Sequence, residues 1–157
     1  MTVLALTRRR VPLSPLSHTL IFLFLTFHAV GAHYTYSEVP YDAWFASLTG
    51  ERLNQALGWQ RNNFDRIVHF LYGLLLTQPV REAFVRATAL RGFWAYFLPM
   101  DLTMSSSATY ELIEWGASMI FGGDLGIAYV GAQGDPWDAQ KDMSLAALGA
   151  LLSTAIA

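Results

Sequence analysis

Carboxylates in this chain occur in pairs at helical spacing, close to segments that are otherwise apolar. Glu111 and Glu114 are three residues apart, and Asp138 and Asp142 are four apart, so each pair shares one helix face. Two neighbouring carboxylates can share a proton and act as general acid and base. We interpret Glu111 and Glu114 as the candidate catalytic pair, because packing alone does not readily explain two acids within one turn of an apolar helix.

Histidines accompany these acids. Asp65 and His69 are four residues apart, and His33 lies near the end of the first apolar run. Carboxylate oxygens and imidazole nitrogens together form ligand sets for divalent metals. The sequence does not identify a cofactor, but a divalent metal is one that these residue types could hold. The candidate metal-ligating or proton-carrying residues are His33, Asp65, His69, Asp138 and Asp142.

A structural interpretation of the same residues stays open. Arg66 and Lys141 could pair with the acids, and polar side chains in membrane helices commonly hold helices together. Asp65 and Asp138 could also stabilise the helix N-termini next to them. The sequence contains no Walker, dinucleotide-binding or G-x-S-x-G motif that would indicate another chemistry.

The composition indicates a membrane protein. The 157 residues are 54% hydrophobic and only 14% charged, against about 25% charged in soluble domains. The net charge of -2, without a basic stripe, gives no indication of a nucleic-acid partner. Cysteine is absent, which excludes disulfides and thiolate metal sites. Membrane lipid is the partner that the composition predicts.

The elements that must position the acids are helices. The apolar runs predict an all-α bundle of about four transmembrane helices in a single integral membrane domain, residues 1–157. The predicted spans are 17–36, 64–80, 93–121 and 138–157. An amphipathic helix over residues 41–57 is expected to lie along the interface. Arg8 to Arg10 before an apolar run resemble a signal peptide, but the run is long for one, so we interpret it as a retained first span.

Arginine placement predicts the orientation. The N-terminal segment and the connection after the second span hold three arginines each, so both are expected in the cytoplasm, as are both termini. All four spans then carry acids or histidines at the outer leaflet. Six side chains are expected to converge there, with residues 131–143 forming one wall of the site: His33, His69, Glu111, Glu114, Asp138 and Asp142.

Several short motifs resemble the YjdF-like inner-membrane protein family of bacteria, in order, over about residues 12–150. The resemblance implies a polytopic inner-membrane protein without an assigned activity, and it implies further hydrophobic segments ahead of residue 1. The motifs that carry it include Gly31-Ala-His-Tyr-Thr-Tyr36, Val39-Pro40, Arg61-Asn62, Asp65-Arg66, His69-Phe70, Arg81-Glu82, Tyr110-Glu-Leu-Ile-Glu-Trp115, Gln133-Gly-Asp135, Trp137-Asp138, Gln140 and Asp142-Met143.

Three classes of function remain open from the sequence. The main prediction is a bacterial inner-membrane protein of undefined activity with an acidic and histidine-containing cluster at its outer face. That cluster could serve metal-assisted or acid–base hydrolysis of a lipid-linked or envelope substrate. The same carboxylates could instead form the path of a proton- or ion-coupled transporter, or the protein could act only in assembly. Bound metal would favour the hydrolase, and gradient-dependent flux would favour the transporter.

Overall fold

The structure is a computed structural model that describes residues 12–121 and 133–156. These residues form helices and contain no β-strand, which confirms the all-α prediction for the described part of the chain. In chain order the helices are α1 (Pro15–His33), α2 (Tyr41–Thr49), α3 (Leu53–Leu57), α4 (Phe64–Thr88), α5 (Trp94–Phe121) and α6 (Asp138–Ala155).

The long helices follow the apolar runs closely, with two differences from the predicted segments. α4 continues through Pro79, which is buried within the bundle, to Thr88 instead of ending near residue 80. The expected interfacial helix is divided into α2 and α3 at Gly50, whose φ of 82° ends the first segment in the left-handed region.

By length and composition, α1 is the one described helix that is apolar enough to cross a membrane, with a mean hydropathy of 1.4. Several charged and hydroxyl groups of the other three long helices are buried within the bundle. Thr77 of α4, for example, is buried and donates its hydroxyl to the Gly73 carbonyl at 2.7 Å. Inward-facing polar groups lower a helix's mean hydropathy without exposing them to lipid.

α4 is the centre of the bundle and packs against α1, α5 and α6, and α5 also packs against α6. The backbones of α4 and α6 touch at two glycines. A Cβ at Gly73 would overlap the carbonyl of Ala146, and one at Gly149 would overlap the carbonyl of Phe70. Small residues at these positions allow the close helix approach that is typical of membrane bundles.

One end of the bundle is fastened by Glu82. Its Oε1 accepts a hydrogen bond from Ser14 N at 2.8 Å, and its Oε2 accepts one from Ser14 Oγ at 2.8 Å and another from Ser17 Oγ. Arg86 Nη2 lies 2.6 Å from Glu82 Oε1. Because Ser14 caps α1, this carboxylate ties the start of α1 to α4. We call the set Ser14, Ser17, Glu82 and Arg86 the closed end.

The segment between α1 and α4 is anchored at the opposite end. Tyr41 is buried against Val39, Phe64 and Val68. Its hydroxyl donates to Asn54 Oδ1 at 2.6 Å and accepts from Asn63 N at 3.1 Å. Burial raises the pKa of Tyr41, so this phenol stays protonated and keeps donating. These bonds fix the residues just before α4, where the acidic cluster begins.

Candidate metal and substrate site

Acids and a histidine from three helices meet at the end of the bundle opposite the closed end. Asp65 and His69 lie on the first two turns of α4, Asp138 and Asp142 on the first two turns of α6, and Glu111 on the second half of α5. Each spacing of three or four residues places its pair on the inward face. Asp142, Asp138 and Glu111 are buried, with 4, 5 and 8% of their surface exposed.

The outer layer of the cluster is a network of ion pairs around Asp138. Arg61, which precedes α4, lies 2.6 Å from Asp138 Oδ1 and 2.7 Å from Asp65 Oδ2. Arg66 Nη2 lies 3.1 Å from the same Asp138 oxygen. These guanidinium groups neutralise Asp65 and Asp138. The ion pairs support the structural interpretation of these two carboxylates, in which they hold helices together.

Asp135 closes the network on the solvent side. Its Oδ2 lies 2.5 Å from both Lys141 Nζ and Arg66 Nη2, and its Oδ1 accepts the backbone N–H of Trp137 at 3.0 Å. The Lys141 ammonium, followed by the Trp137 N–H and Arg66, holds the pKa of Asp135 well below its usual range. Asp135 is therefore a charged structural tie between α4 and the start of α6.

A second, deeper layer consists of His69, Glu111 and Asp142. One donor atom from each of the three lies within 4.8 Å of the other two. Ligands bound to Zn²⁺ at about 2.0–2.2 Å lie at most about twice that distance from each other. Small side-chain movements would therefore bring all three donors onto one ion. We call these three residues the inner triad.

Two buried oxygens of the inner triad, Glu111 Oε1 and Asp142 Oδ1, accept no hydrogen bond from the described residues. His69 Nε2 lies 3.2 Å from Glu111 Oε1, but the atoms are not aligned as a hydrogen bond. Buried carboxylate oxygens without a hydrogen-bond partner are costly, which makes these two oxygens candidate ligands for a cation.

Asp65, Asp138 and Asp142 also have donor atoms within 4.8 Å of one another. This second group is less suited to a metal, because Arg61 and Arg66 already occupy Asp138 Oδ1 and Arg61 also holds Asp65. A cation there would have to displace or repel the guanidinium groups. The inner triad is therefore the better metal site.

A cavity of about 320 Å³ adjoins the inner triad, which is within the size range of small-molecule sites. Glu114 lines it one turn beyond Glu111, and Tyr110 is a hydrogen-bond partner of Glu114. The described lining residues are Phe24, His28, Thr35, Tyr36, Asp65, Val68, His69, Tyr72, Ser106, Ser107, Tyr110, Glu114 and Asp142. They include acids and histidines but neither lysine nor arginine.

The structure brings together every predicted site residue except His33. His33 lies at the exposed end of α1, in a separate shallow groove with Phe22 and Leu25. It does not line the cavity beside the inner triad. His28 also lines the cavity, and its Nδ1 lies 2.7 Å from the Tyr36 hydroxyl.

Arg61 and His28 are the site residues that the sequence analysis did not single out. Arg61 was a polar residue in a connecting segment, and no helical spacing linked it to Asp138, 77 positions later. His28 did carry a signal, because an ionisable side chain inside the most apolar helix is itself an indication of function. Of the predicted wall over residues 131–143, residues 131 and 132 lie outside the described residues.

Comparison with known proteins places the chain in a family. A family model described as "Predicted membrane protein (DUF2238)" matches residues 1–157. The chain is 41% identical over 150 residues to the inner membrane protein YjdF of Escherichia coli strain K12, covering 95% of this chain and 68% of that protein. No solved structure matches. The match extends over the whole chain, and it agrees with the resemblance in the sequence motifs: the chain belongs to the DUF2238 family of predicted membrane proteins.

Proposed function

We propose that this protein is a multi-pass protein of the bacterial inner membrane that binds a divalent metal in the inner triad, at the outer face of the membrane. The location draws on the inner membrane protein YjdF, and the orientation draws on the arginine distribution. The observation that carries the proposal is the pair of buried oxygens, Glu111 Oε1 and Asp142 Oδ1, which accept no hydrogen bond within the described residues.

The donor set indicates the kind of ion. One imidazole and two carboxylates suit Zn²⁺ or Mn²⁺, whereas Ca²⁺ takes about six to eight oxygen ligands. The two carboxylates of the inner triad would balance the charge of one divalent ion. The outer ion pairs of Asp65, Asp135 and Asp138 would keep their own counter-charges, so metal binding would not disrupt them.

The chemistry that this site supports best is hydrolysis. A divalent ion supplies Lewis acidity at an ester or phosphoester oxygen. Glu114 lines the cavity on the same helix as Glu111, and we assign it the role of proton acceptor from the attacking water. His69 serves as a ligand and not as the base, because it lies within the triad.

Metal analysis of the purified full chain tests this function. We expect stoichiometric Zn²⁺ or Mn²⁺ after gentle detergent extraction, and Asp142→Asn should weaken binding by at least about tenfold, since even supporting residues around a metal affect affinity by that factor. Asp101→Asn is the matched control, because Asp101 is an exposed carboxylate on α5 outside the site. Equal metal binding by the two variants, or none by the wild type, would overturn the proposal.

A further inference from the structure

A cleft between α1 and α5 continues the cavity away from the inner triad, with α4 as its floor. The Phe24 ring of α1 meets the Tyr72 ring of α4 edge-on at a centroid distance of 5.5 Å. The Tyr72 hydroxyl lies 2.5 Å from Ser106 Oγ of α5. α1 packs on α4, while α5 packs on α4 and α6. Extensive packing of α1 on α5 therefore does not close the cleft.

The side chains of all three walls become less polar along the cleft, in the direction away from the inner triad. On α4, acidic and imidazole groups at Asp65 and His69 give way to Tyr72, about 10 Å further along the helix axis at 1.5 Å per residue. On α1, His28 gives way to Phe24, which stacks on it at 5.8 Å. α5 follows the same course from its acid to hydroxyl groups, through Glu114, Tyr110 and Ser106.

The cleft is accessible from the side of the bundle. Tyr110 lines the cavity and is 42% exposed. Its ring packs edge-on to His69 at 6.1 Å, so the exposed wall is continuous with the inner triad. Tyr110 lies within the predicted third span, so in a bundle that spans the bilayer this side opening would face lipid. A ligand that enters there must itself be soluble in lipid.

We propose that the cleft binds an amphiphile from the bilayer that has an alkyl chain and a phosphate headgroup. The chain lies along the cavity wall formed by Phe24 and Tyr72, and the phosphate lies at the metal held by the inner triad. The headgroup assignment rests on the proposed function, because a phosphate would be repelled by Glu114 and Asp142 without a cation. The direction of the polarity gradient sets the orientation, with the headgroup toward the outer face.

Photolabelling of the full chain tests this proposal. Detergent-purified protein with Mn²⁺ is treated with phosphatidic acid that carries a photoreactive group on its acyl chain, and the labelled residues are mapped by mass spectrometry. We expect labelling at Phe24 and Tyr110. Unlabelled phosphatidic acid should compete, whereas glycerol phosphate, which lacks the chain, should not. Equal competition by glycerol phosphate would overturn the proposal in favour of a soluble phosphate ligand.

Two neighbouring serines provide matched variants. Ser106 lines the cleft and Ser105 is exposed, so Ser106→Trp should abolish labelling and Ser105→Trp should not. Phe24→Trp, with exposed Phe22→Trp as its control, tests the opposite wall if Ser106→Trp does not fold. Labelling that is spread over the exposed surface of α1 and is unchanged by Ser106→Trp would overturn the proposal that the amphiphile binds in the cleft.

The same samples separate the two proposals. If the wild type binds metal but Ser106→Trp leaves labelling unchanged, the amphiphile proposal fails and the metal site stands. If the wild type binds no metal and Ser106→Trp still abolishes labelling, the proposed function fails together with the phosphate assignment, while the alkyl-binding cleft stands.

Discussion

The two ends of the bundle use the same residue type in opposite ways. At the closed end, the carboxylate of Glu82 accepts three hydrogen bonds from Ser14 and Ser17 and pairs with Arg86. At the other end, Glu111 and Asp142 each keep a buried oxygen that accepts no hydrogen bond from the described residues. The hydrogen bonds that its oxygens accept therefore distinguish a carboxylate that holds helices together from one that is available to a ligand.

Removal of Glu82, whose carboxylate accepts three hydrogen bonds, is expected to have the largest effect on the free energy of unfolding. Glu82→Ala should lower the free energy of unfolding by about 2–3 kcal/mol, since hydrogen bonds to a charged group contribute about 1.5–3 kcal/mol each and Ser17 would be left buried without its partner. Thermal unfolding in detergent, followed by tryptophan fluorescence, measures this loss. Arg86→Ala should cost less than about 1 kcal/mol, because Arg86 is largely exposed. Equal losses would contradict the structural role of the Glu82–serine contacts.

Removal of Glu111, which keeps an oxygen without a hydrogen bond from the described residues, should change stability in the opposite direction. Without metal, Glu111→Gln should raise the free energy of unfolding by about 1 kcal/mol, because a neutral amide replaces a buried acidic group whose Oε1 accepts no hydrogen bond from the described residues. With excess Mn²⁺ the wild type should become more stable than the variant, since only the wild type gains stability from the bound ion. Unfolding midpoints with and without EDTA measure the reversal. A variant that is less stable than wild type under both conditions would indicate that Glu111 is structural.

The smallest expected effect concerns pH at the outer ion pairs. Because Lys141 and Arg66 hold the pKa of Asp135 below its usual range, its contribution to stability is fully present above the unfolded-state pKa of about 3.9. It is lost as pH falls toward the lower folded pKa. Asp135→Asn should therefore be less stable than wild type by a constant amount from pH 8 to 5, and the difference should shrink below about pH 4. A difference that disappears between pH 7 and 5 would contradict this assignment.

The helices and the faces of their acids could be predicted from local sequence. Apolar runs set the bounds of α1, α5 and α6 to within a few residues, and spacings of three or four placed Glu111 and Asp142 on inward faces. Pairing depends on tertiary structure, and so could not be predicted. The sequence did not show that Arg61 would reach Asp138, or that Pro79 would lie within a continuous helix. The sequence placed His33 near the end of α1 but did not show that this residue would be exposed in a groove separate from the cavity.

The glycine contacts between α4 and α6 bear on ion selectivity. His69 and Asp142 lie one turn from Gly73 and Ala146, where the two backbones touch. Backbone contact at Gly73 and Gly149 leaves no room for a side chain between the helices, so it holds His69 and Asp142 close together. In the proposed metal site, this short separation would favour the short bonds of Zn²⁺ or Mn²⁺ over those of Ca²⁺, whose bonds of about 2.3–2.6 Å require a looser site.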